Sequence, residues 1–312
     1  MAITAGMVKE LREMTGAGMM DCKKALNETN GNMDEAVEYL RKNGQAKAEK
    51  KASRIAAEGL CKAITNGDTV AAVVEVNSET DFVAKNEQFQ EFVGSVADQA
   101  IASDSADIDA FLAEKWNADT SKTVNEVLTE KIAVIGEKLS IRRFEKIVAA
   151  NGCVATYVHG GGRIGVIVEA DTTVVNDAVK EALTNVAMQV AALSPKYVSQ
   201  ADVSEEYKEH EKEILLSQAK VENAALPDEK QKPDAIIEKM IIGRLNKELK
   251  EVCLLDQAYV KDGDLTVAKY VASVAKEVGA DITIKKFVRY ETGEGLEKKN
   301  EDFAAEVAAQ MA

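Results

Sequence analysis

The feature that most constrains the fold is an internal duplication of β-rich hairpins. The same order occurs twice along the chain: a β-rich run, a turn that contains glycine, a second β-rich run, a loop and a helical segment. The two copies begin at Gly59 and Gly152, and their turns occupy 65–69 and 159–162. Asn-Gly and Gly-Gly between β-rich runs are typical of β-hairpins. Two hairpins that are each covered by helices predict an α+β core of two similar subdomains.

The helix after each hairpin is predicted to be amphipathic. In the first copy the apolar positions are Phe89, Phe92, Val93, Val96, Ala97, Ala100 and Ile101, and in the second copy they are Val175, Val179, Leu183, Val186, Val190 and Leu193. A spacing of three and four residues predicts one buried helix face in each subdomain.

A short polar loop, 77–86, connects the second strand to the helix in the first copy, and it contains Phe82. Two interpretations are open. Phe82 lies seven residues before Phe89, so the helix could begin early, with Ser78 or Thr80 as its cap and Phe82 in the core. Alternatively, the ring is displayed on the surface and anchors a partner protein. Periodicity alone favours the core position.

The charge balance argues against nucleic acid as a ligand. The 312 residues include 39 basic and 53 acidic side chains, which give a formal net charge of −14. A surface of this charge repels phosphate backbones, whereas it attracts a protein partner that carries basic patches. We therefore expect a protein partner and no direct contact with nucleic acid.

The cysteines and histidines give no sign of disulfides or of a metal site. The four cysteines are Cys22, Cys61, Cys153 and Cys253. Their scattered positions without a C-x-x-C pair are typical of free thiols in a reducing cytoplasm. His159 and His210 lie far apart, so we expect no metal-ligand cluster. The N-terminus lacks the pattern of a signal or transit peptide, and no apolar run approaches about 18 residues. We expect a cytoplasmic protein that does not contact the membrane.

Residues 1–54 predict a small module of three helices followed by a linker or helical tether. The predicted apolar stripes are Met7, Val8, Leu11 and Met14, then Met19, Cys22, Ala25 and Leu26, then Met33, Ala36, Val37 and Leu40. Gly44 is predicted to end the third helix as its C-cap, and residues 45–54 form the tether. Most of the methionines are expected in the core, whereas Met20 lies off the stripe and is available to a partner. A unit of about 40 residues is near the lower limit for an independent core, which favours a docking role.

Further segments lie between and after the hairpins. Thr123–Leu139 is predicted to be a helix and 141–148 a strand, whereas 103–121, which contains Trp116, is predicted to be a polar insertion. After the second copy, 265–278 predicts a helix and 282–290 a strand. The tail is predicted to end in a short helix with Phe303 and Val307 on one side.

Residues 203–254 predict two antiparallel helices that project from the core. The predicted seam residues are Tyr207, Ile214 and Val221 in the first helix and Ile237, Ile241, Leu245, Leu249 and Val252 in the second. A narrow apolar seam between two heavily charged helices that are joined by a turn containing proline is typical of a helical hairpin.

The glycines after His159 leave one enzymatic alternative, a nucleotide-dependent enzyme that uses the turn 159–165. A phosphate loop joins a strand to the N-terminus of a helix, whereas these glycines join two β-rich runs and no G-K-[ST] motif is present. His159 has no partner in the local sequence for a catalytic triad. We therefore favour a binding protein of several modules without catalytic residues.

Long motifs distributed over the whole chain resemble the elongation factor Ts family. They are Val8–Leu26, Glu75–Asn86, His159 with Arg163–Val166, Leu254–Lys261 and Phe287–Lys298. The resemblance departs from the family only in 103–121 and in details of the helical hairpin. It implies a guanine nucleotide exchange factor that binds elongation factor Tu, both GDP-bound and nucleotide-free, and promotes GDP release so that GTP can bind during translation elongation. It implies no cofactor, no metal and no catalytic group in this chain.

The resemblance also implies a division into modules. These are a ubiquitin-associated-like module with its linker at 1–54, an N subdomain at 55–148, a C subdomain at 149–202 and 255–290, an inserted coiled-coil hairpin at 203–254 and a C-terminal module at 291–312. Both the N-terminal and the C-terminal modules are expected to contact Tu.

Particular residues are implied in the contact with Tu. They are Thr80, Asp81, Phe82 and Val83 near the magnesium site of Tu, with His159, Met19 and Met20 as further contacts. In the family, the residue matching Phe82 wedges between side chains of the G domain. The resemblance thus reverses the argument from periodicity, because it begins the helix near Asn86 and leaves Phe82 exposed.

Overall fold

In the computed structural model, which describes residues 3–297, the chain begins with three helices. They are α1 at Ala5–Thr15, α2 at Met19–Glu28 and α3 at Met33–Lys51. Leu11, Cys22, Leu26 and Ala36 are fully buried between them. The predicted stripes are wrong at Met14 and Met19, whose side chains are exposed. Met14 lies next to the end of α1 and Met19 is the first residue of α2. Spacing alone does not show that a side chain near the end of a short helix is left uncovered.

The first hairpin belongs to a three-stranded antiparallel sheet with helices on one face. Its elements are β1 at Glu58–Asn66, β2 at Val70–Ser78, α4 at Asp81–Ala84, α5 at Glu87–Ala102, α6 at Ile108–Ala113, β3 at Lys115–Trp116, β4 at Asp119–Thr123, α7 at Val124–Ile135 and β5 at Ser140–Val148. The strand order is β1-β2-β5. The predicted amphipathic face of α5 is buried against this sheet.

The second hairpin belongs to a sheet of the same topology. Its elements are β6 at Gly152–His159, β7 at Ile164–Thr172, α8 at Asp177–Leu193, α9 at Glu205–Ala224, α10 at Asp234–Val252, β8 at Ala258–Tyr259, β9 at Asp262–Thr266, α11 at Val267–Val278 and β10 at Ile282–Glu291. The strand order is β6-β7-β10, and both strand pairs are antiparallel. The α+β prediction is therefore correct. Of the predicted face of α8, Val175 precedes the helix and Leu193 is exposed at its end.

The duplication extends further than the two predicted hairpins. The small hairpin β3–β4 and helix α7 are repeated as β8–β9 and α11, with Trp116 opposite Asp119 in one copy and Tyr259 opposite Asp262 in the other. The third strands β5 and β10 also match. In each, one residue is skipped in the pairing, Arg142 or Lys285, and it immediately precedes the residue opposite Glu75 or Glu169. The prediction of a polar insertion at 103–121 was wrong, since Phe111 and Trp116 are buried in the core.

A buried glutamine fixes the small hairpin in each copy. The side-chain amide of Gln99 donates to Lys115 O at 3.1 Å and its oxygen accepts the amide of Asn117 at 2.8 Å. Gln189 repeats this arrangement with Ala258 O at 3.0 Å and the amide of Val260 at 2.8 Å. A two-residue strand has too few ladder bonds to be stable alone, so we infer that this pair of hydrogen bonds holds each hairpin on its helix.

The two sheets pack face to face through mainly small side chains. The buried residues of this layer are Ala63, Ala71, Val73, Ile147, Ala149, Val154 and Ile167. The sheets approach so closely that a Cβ on Gly165 would lie 3.0 Å from Val73 Cγ2. The turns interlock, because the amide of Cys61 donates to Gly162 O at 2.6 Å and the amide of Val154 donates to Asp68 O at 2.8 Å. Each hairpin turn thus closes on the first strand of the other hairpin.

A buried carboxylate joins the segment after β10 to the first sheet. Glu75 is fully buried, and it accepts hydrogen bonds from Arg142 at 3.0 Å, Arg143 at 2.5 Å and the amide of Gly293 at 2.8 Å. Hydrogen bonds of this kind offset the cost of removing a carboxylate from water. The beginning of the predicted C-terminal module at 291–312 is therefore anchored, whereas its predicted helix lies outside the described residues.

The N-terminal helices dock on the first subdomain through α3 and α7. Gly44 lies inside α3, where an added Cβ would approach Ala133 Cβ to 3.2 Å. Arg41 forms an ion pair with Glu126 in the same interface. The prediction that Gly44 ends α3 was wrong, because the missing side chain serves close helix packing rather than a left-handed cap. Residues 45–51 therefore continue the helix.

Helices α9 and α10 pack on each other along a short apolar seam. Leu215, Ala219, Ile237 and Ile241 are buried in it. The predicted positions in α10 are correct for Ile237, Ile241 and Leu249, which are buried.

The predicted seam of α9 is wrong at two of its three residues. Val221 is 70% exposed and Ile214 is 38% exposed, whereas Tyr207 is partly buried against a cluster that includes Leu249 of α10. Further along α9, the small Ala219 lies on the face that meets α10.

Across residues 3–297, no helix combines the length and the apolar character needed to cross a membrane.

We expect opposite effects from alanine at two glycines of the first subdomain. Gly59 has φ +128°, and a Cβ there would lie 2.2 Å from Val76 O, whereas Gly94 lies within α5 and a Cβ would meet nothing within 4 Å. Gly59→Ala should lower the free energy of unfolding by roughly 2–4 kcal/mol. Gly94→Ala should raise it by about 0.5–1 kcal/mol. Urea unfolding monitored by circular dichroism measures both, and equal effects would contradict the strained backbone at Gly59.

We expect all four cysteines to resist thiol reagents in the folded protein. All four are buried, and burial raises the pKa of each thiol, that of Cys61 to about 12. Because the thiolate is the reactive form, only a small fraction of each cysteine can react at pH 8. Titration with Ellman's reagent should give slow reaction in buffer and four thiols in guanidinium. Fast reaction of any cysteine in buffer would contradict the packing described.

Candidate functional site

Helix α4 is an addition to the duplicated fold. In the first copy seven residues, 79–85, separate the end of β2 from the N-cap of α5 at Asn86. In the second copy only three residues, 173–175, separate the end of β7 from the N-cap of α8 at Asn176. The four additional residues match the length of α4. The second copy therefore demonstrates that the hairpin-to-helix connection does not require this element.

Phe82 lies on α4 and its side chain is 79% exposed. Helix α5 begins at Glu87, and the side chain of Asn86 accepts the amides of Gln88 at 2.8 Å and Phe89 at 3.3 Å. Because α5 begins at this cap, Phe82 and Phe89 do not lie on one continuous helix. The core position favoured by periodicity was wrong, and the exposed position is confirmed.

Asp81 and Lys85 flank the exposed ring. The Lys85 ammonium is 2.6 Å from the Asp81 carboxylate and 5.9 Å from the centre of the Phe82 ring. The hydrogen bond from Lys85 lowers the pKa of Asp81 below its usual value. Both side chains are exposed, and an ion pair of this kind contributes little to stability. The surface of α4 therefore combines an ionised carboxylate, an aromatic ring and an ammonium group.

The rest of the α4 segment is anchored to the subdomain. Ala84 is buried and the half-buried Val83 packs against the core beneath α5. Thr80 is the N-cap of α4, since its hydroxyl accepts the amide of Val83 at 3.4 Å. Of the four predicted contact residues in this segment, Asp81 and Phe82 point to solvent, whereas Thr80 and Val83 hold the turn.

Glu137, between α7 and β5, binds the residues that precede α4. Its carboxylate accepts the Thr80 hydroxyl at 2.7 Å and the amides of Glu79 and Thr80 at 3.1 Å each. In return, Glu79 accepts the amide of Lys138 at 2.6 Å. Sequence reasoning missed Glu137, because a contact between residues 57 and 58 positions apart leaves no local pattern.

His159 ends β6 and is exposed beside the turn Gly160–Gly162. The hydroxyl of Tyr157 and Nδ1 of His159 are hydrogen bonded at 2.9 Å. The turn joins the antiparallel strands β6 and β7, so the predicted hairpin is confirmed and the glycines do not precede a helix.

The His159 turn and α4 are supported by the same strand. Gly162 is hydrogen bonded to Cys61 in β1, and β2 leads into α4 from Ser78, which is paired with Glu58 at the start of β1. The structure therefore brings the two predicted contact segments to the same end of the core.

Met19 and Met20 lie at the start of α2 and are 57% and 74% exposed. Met14, near the end of α1, is also exposed. Flexible methionine side chains are common on protein-binding surfaces. The expectation that methionines of this module lie in the core was therefore wrong for Met14 and Met19, whereas the predicted exposure of Met20 is confirmed.

Within residues 3–297, no group of three or more His, Cys, Asp and Glu side chains is placed to hold a metal ion. Helix α4 presents an aromatic side chain, a carboxylate and an ammonium group on one turn.

Comparisons with known proteins agree on one family. A family model described as elongation factor TS matches residues 79–294. The chain is 56% identical over 310 residues to elongation factor Ts of Clostridioides difficile strain 630, with 99% of each chain covered. It is 53% identical over 307 residues to elongation factor Ts of Clostridium perfringens strain 13, with 98% of each covered. It is 50% identical over 314 residues to elongation factor Ts of Trichlorobacter lovleyi, with 99% and 98% covered.

Two phenylalanines seven residues apart should differ sharply in their effect on stability. Phe82→Ala should change the free energy of unfolding by less than about 0.5 kcal/mol, since its ring is exposed. Phe89→Ala should lower it by about 3–5 kcal/mol, because this ring is fully buried. Urea unfolding of both variants tests the assignment. A large loss for Phe82→Ala would place this ring in the core after all.

Proposed function

The chain belongs to the elongation factor Ts family, and we propose that it is the guanine nucleotide exchange factor of elongation factor Tu. In this role it binds GDP-bound Tu, promotes the release of GDP and remains bound to nucleotide-free Tu until GTP enters. The reaction belongs to translation elongation, so the proposal places the protein in the cytoplasm and requires no direct contact with nucleic acid or membrane.

The observation that carries the proposal is the exposed aromatic ring on α4. Leaving a phenylalanine in water forgoes about 1.5–3 kcal/mol of burial free energy. The fold does not require this arrangement, because the second copy connects strand and helix without an equivalent of α4. A rigid aromatic residue on an added turn is well suited to fill a pocket on a partner.

The proposed mechanism is destabilisation of the nucleotide site of Tu. A magnesium ion that is bound to Tu bridges the phosphates of the nucleotide and neutralises their charge. We propose that Phe82 wedges between side chains of the G domain near this ion, and that Asp81 forms hydrogen bonds beside it. Disturbing the ligands of the ion raises the free energy of bound GDP. By linkage, factor and nucleotide then lower each other's affinity for Tu by the same factor.

Other surfaces extend the proposed contact. Met19 and Met20 offer an apolar surface on the N-terminal module, and His159 lies at the end of the core that carries α4. The net charge of −14 favours a partner that presents basic patches. We further propose the division already given: the module at 1–54, the subdomains at 55–148 and at 149–202 with 255–290, the inserted hairpin at 203–254 and the C-terminal module at 291–312.

The proposed reaction needs no nucleophile, acid or base from this chain. No covalent bond changes when GDP leaves Tu, so the factor acts only by binding two states of its partner with different affinity. For this reason we assign no catalytic residue and no cofactor.

Phe82→Ala should slow the factor-stimulated release of GDP from Tu. Truncating an interface anchor costs about 2 kcal/mol or more, which corresponds to about 30-fold or more in rate at subsaturating factor. Stopped-flow fluorescence with a labelled GDP measures the release. Val148→Ala is a matched control, because Val148 is 60% exposed at the opposite end of the sheet. If the Phe82→Ala protein stimulates release as well as the parent, the proposed wedge is wrong.

A further inference from the structure

We propose that Glu137 is a positioning residue that fixes Phe82 in the orientation required for nucleotide exchange. This inference rests on the proposed function and adds a residue to it. Glu137 does not lie on α4, and its half-buried carboxylate accepts three hydrogen bonds from the two residues that precede α4. Hydrogen bonds to a charged acceptor are stronger than those between neutral groups.

The Thr80 hydroxyl transmits this constraint to α4. It donates to Glu137, and this donation leaves an oxygen lone pair free to accept the amide of Val83. The carboxylate thus determines the direction of the hydroxyl proton and holds the side chain in the capping orientation. A helix of one turn is not stable without such support. Because Phe82 is the second residue of this turn, its orientation follows from the position of Thr80.

The second copy provides an internal control. Helices α7 and α11 both have 12 residues and end at a left-handed glycine, Gly136 with φ +87° and Gly279 with φ +71°. The residue after the glycine is Glu137 in the first copy and Ala280 in the second. The carboxylate is therefore present where α4 is present and absent where the connection is short. The backbone at this turn does not need it.

A reciprocal contact strengthens the attachment. Glu79 accepts the amide of Lys138, and the guanidinium of Arg54 contacts the Glu79 carboxylate at 3.2 Å. Lys138 in turn donates to the Arg54 carbonyl at 2.7 Å. The segment 79–80 and the segment 137–138 thus each donate hydrogen bonds to the other, and the Arg54 guanidinium contacts the carboxylate of Glu79. We refer to these contacts as the Glu137 clasp.

The clasp can be tested in the free protein, independently of any exchange activity. Glu137→Ala gives this position the residue found at 280. Hydrogen–deuterium exchange of the peptide that contains residues 79–85 should become at least about tenfold faster at the amides of Glu79 and Thr80, because their acceptor is lost. Glu137→Gln retains an acceptor of the same shape and should retain most of the protection. Glu277→Ala, at an exposed carboxylate in the last turn of α11, should leave this peptide unchanged.

The effect on function is measured by GDP release from Tu. We expect Glu137→Ala to slow stimulated release by about tenfold. Glu137→Gln should lie between this variant and the parent, because its single oxygen still accepts the two amides whereas its nitrogen cannot accept the Thr80 hydroxyl. The double variant with Phe82→Ala should be no slower than Phe82→Ala alone, because residues that act through one another are not additive. Melting temperatures within a few degrees of the parent would exclude general unfolding. If Glu137→Ala does not fold, Thr80→Val, which removes the hydroxyl that donates to Glu137, takes its place in the comparison with Glu137→Gln.

The two proposals fail in different ways. If the parent protein does not accelerate GDP release from Tu, the proposed function is wrong. If it does but Phe82→Ala has no effect, the proposed wedge is wrong, whatever happens at Glu137. If Phe82→Ala slows release but Glu137→Ala does not, or if the two effects add in full, Glu137 does not position Phe82. Unchanged deuterium exchange at residues 79–80 in Glu137→Ala would likewise overturn the clasp.

Discussion

Two backbone hydrogen bonds across the sheet interface fix the arrangement on which the rest of the molecule depends. The Cys61 amide donates to Gly162, and the Val154 amide donates to Asp68, so each hairpin turn closes on the first strand of the other hairpin. Small side chains between the sheets allow this approach. At Gly165 the sheets are so close that there is no room for a side chain. The outer helix layers take their positions from the sheets. The N-terminal module takes its position from α7, and therefore indirectly from the same contact.

Two insertions distinguish the two copies of this duplicated scaffold. Helix α4 lengthens one hairpin-to-helix connection. Helices α9 and α10 lie between α8 and β8, where the first copy has only the short α6. The sheets and their covering helices have the same topology in both copies. The additions are therefore not needed to form the core. Proteins commonly place recognition residues on connections held by a rigid scaffold.

The strongest sequence patterns predicted the core well. Long β-rich runs around Asn66-Gly67 and Gly160-Gly161 gave both hairpins, and the Phe89–Ile101 stripe gave α5. The two-residue strands around Trp116 and Tyr259 were missed, because they are too short to show alternation and are held by distant Gln99 and Gln189.

Other features depend on tertiary contacts that no local pattern records. The sequence around Gly44 predicts the end of a helix. In the structure the helix continues, and the missing side chain allows close packing against Ala133. The exposure of Phe82 came from family resemblance rather than from periodicity, and Glu137 became visible only in three dimensions. The three-residue connection at 173–175 has a consequence of its own for protein engineering. It occupies the position that α4 occupies in the first copy, where the same scaffold accommodates four more residues, so a short insertion at 173–175 should leave both sheets intact.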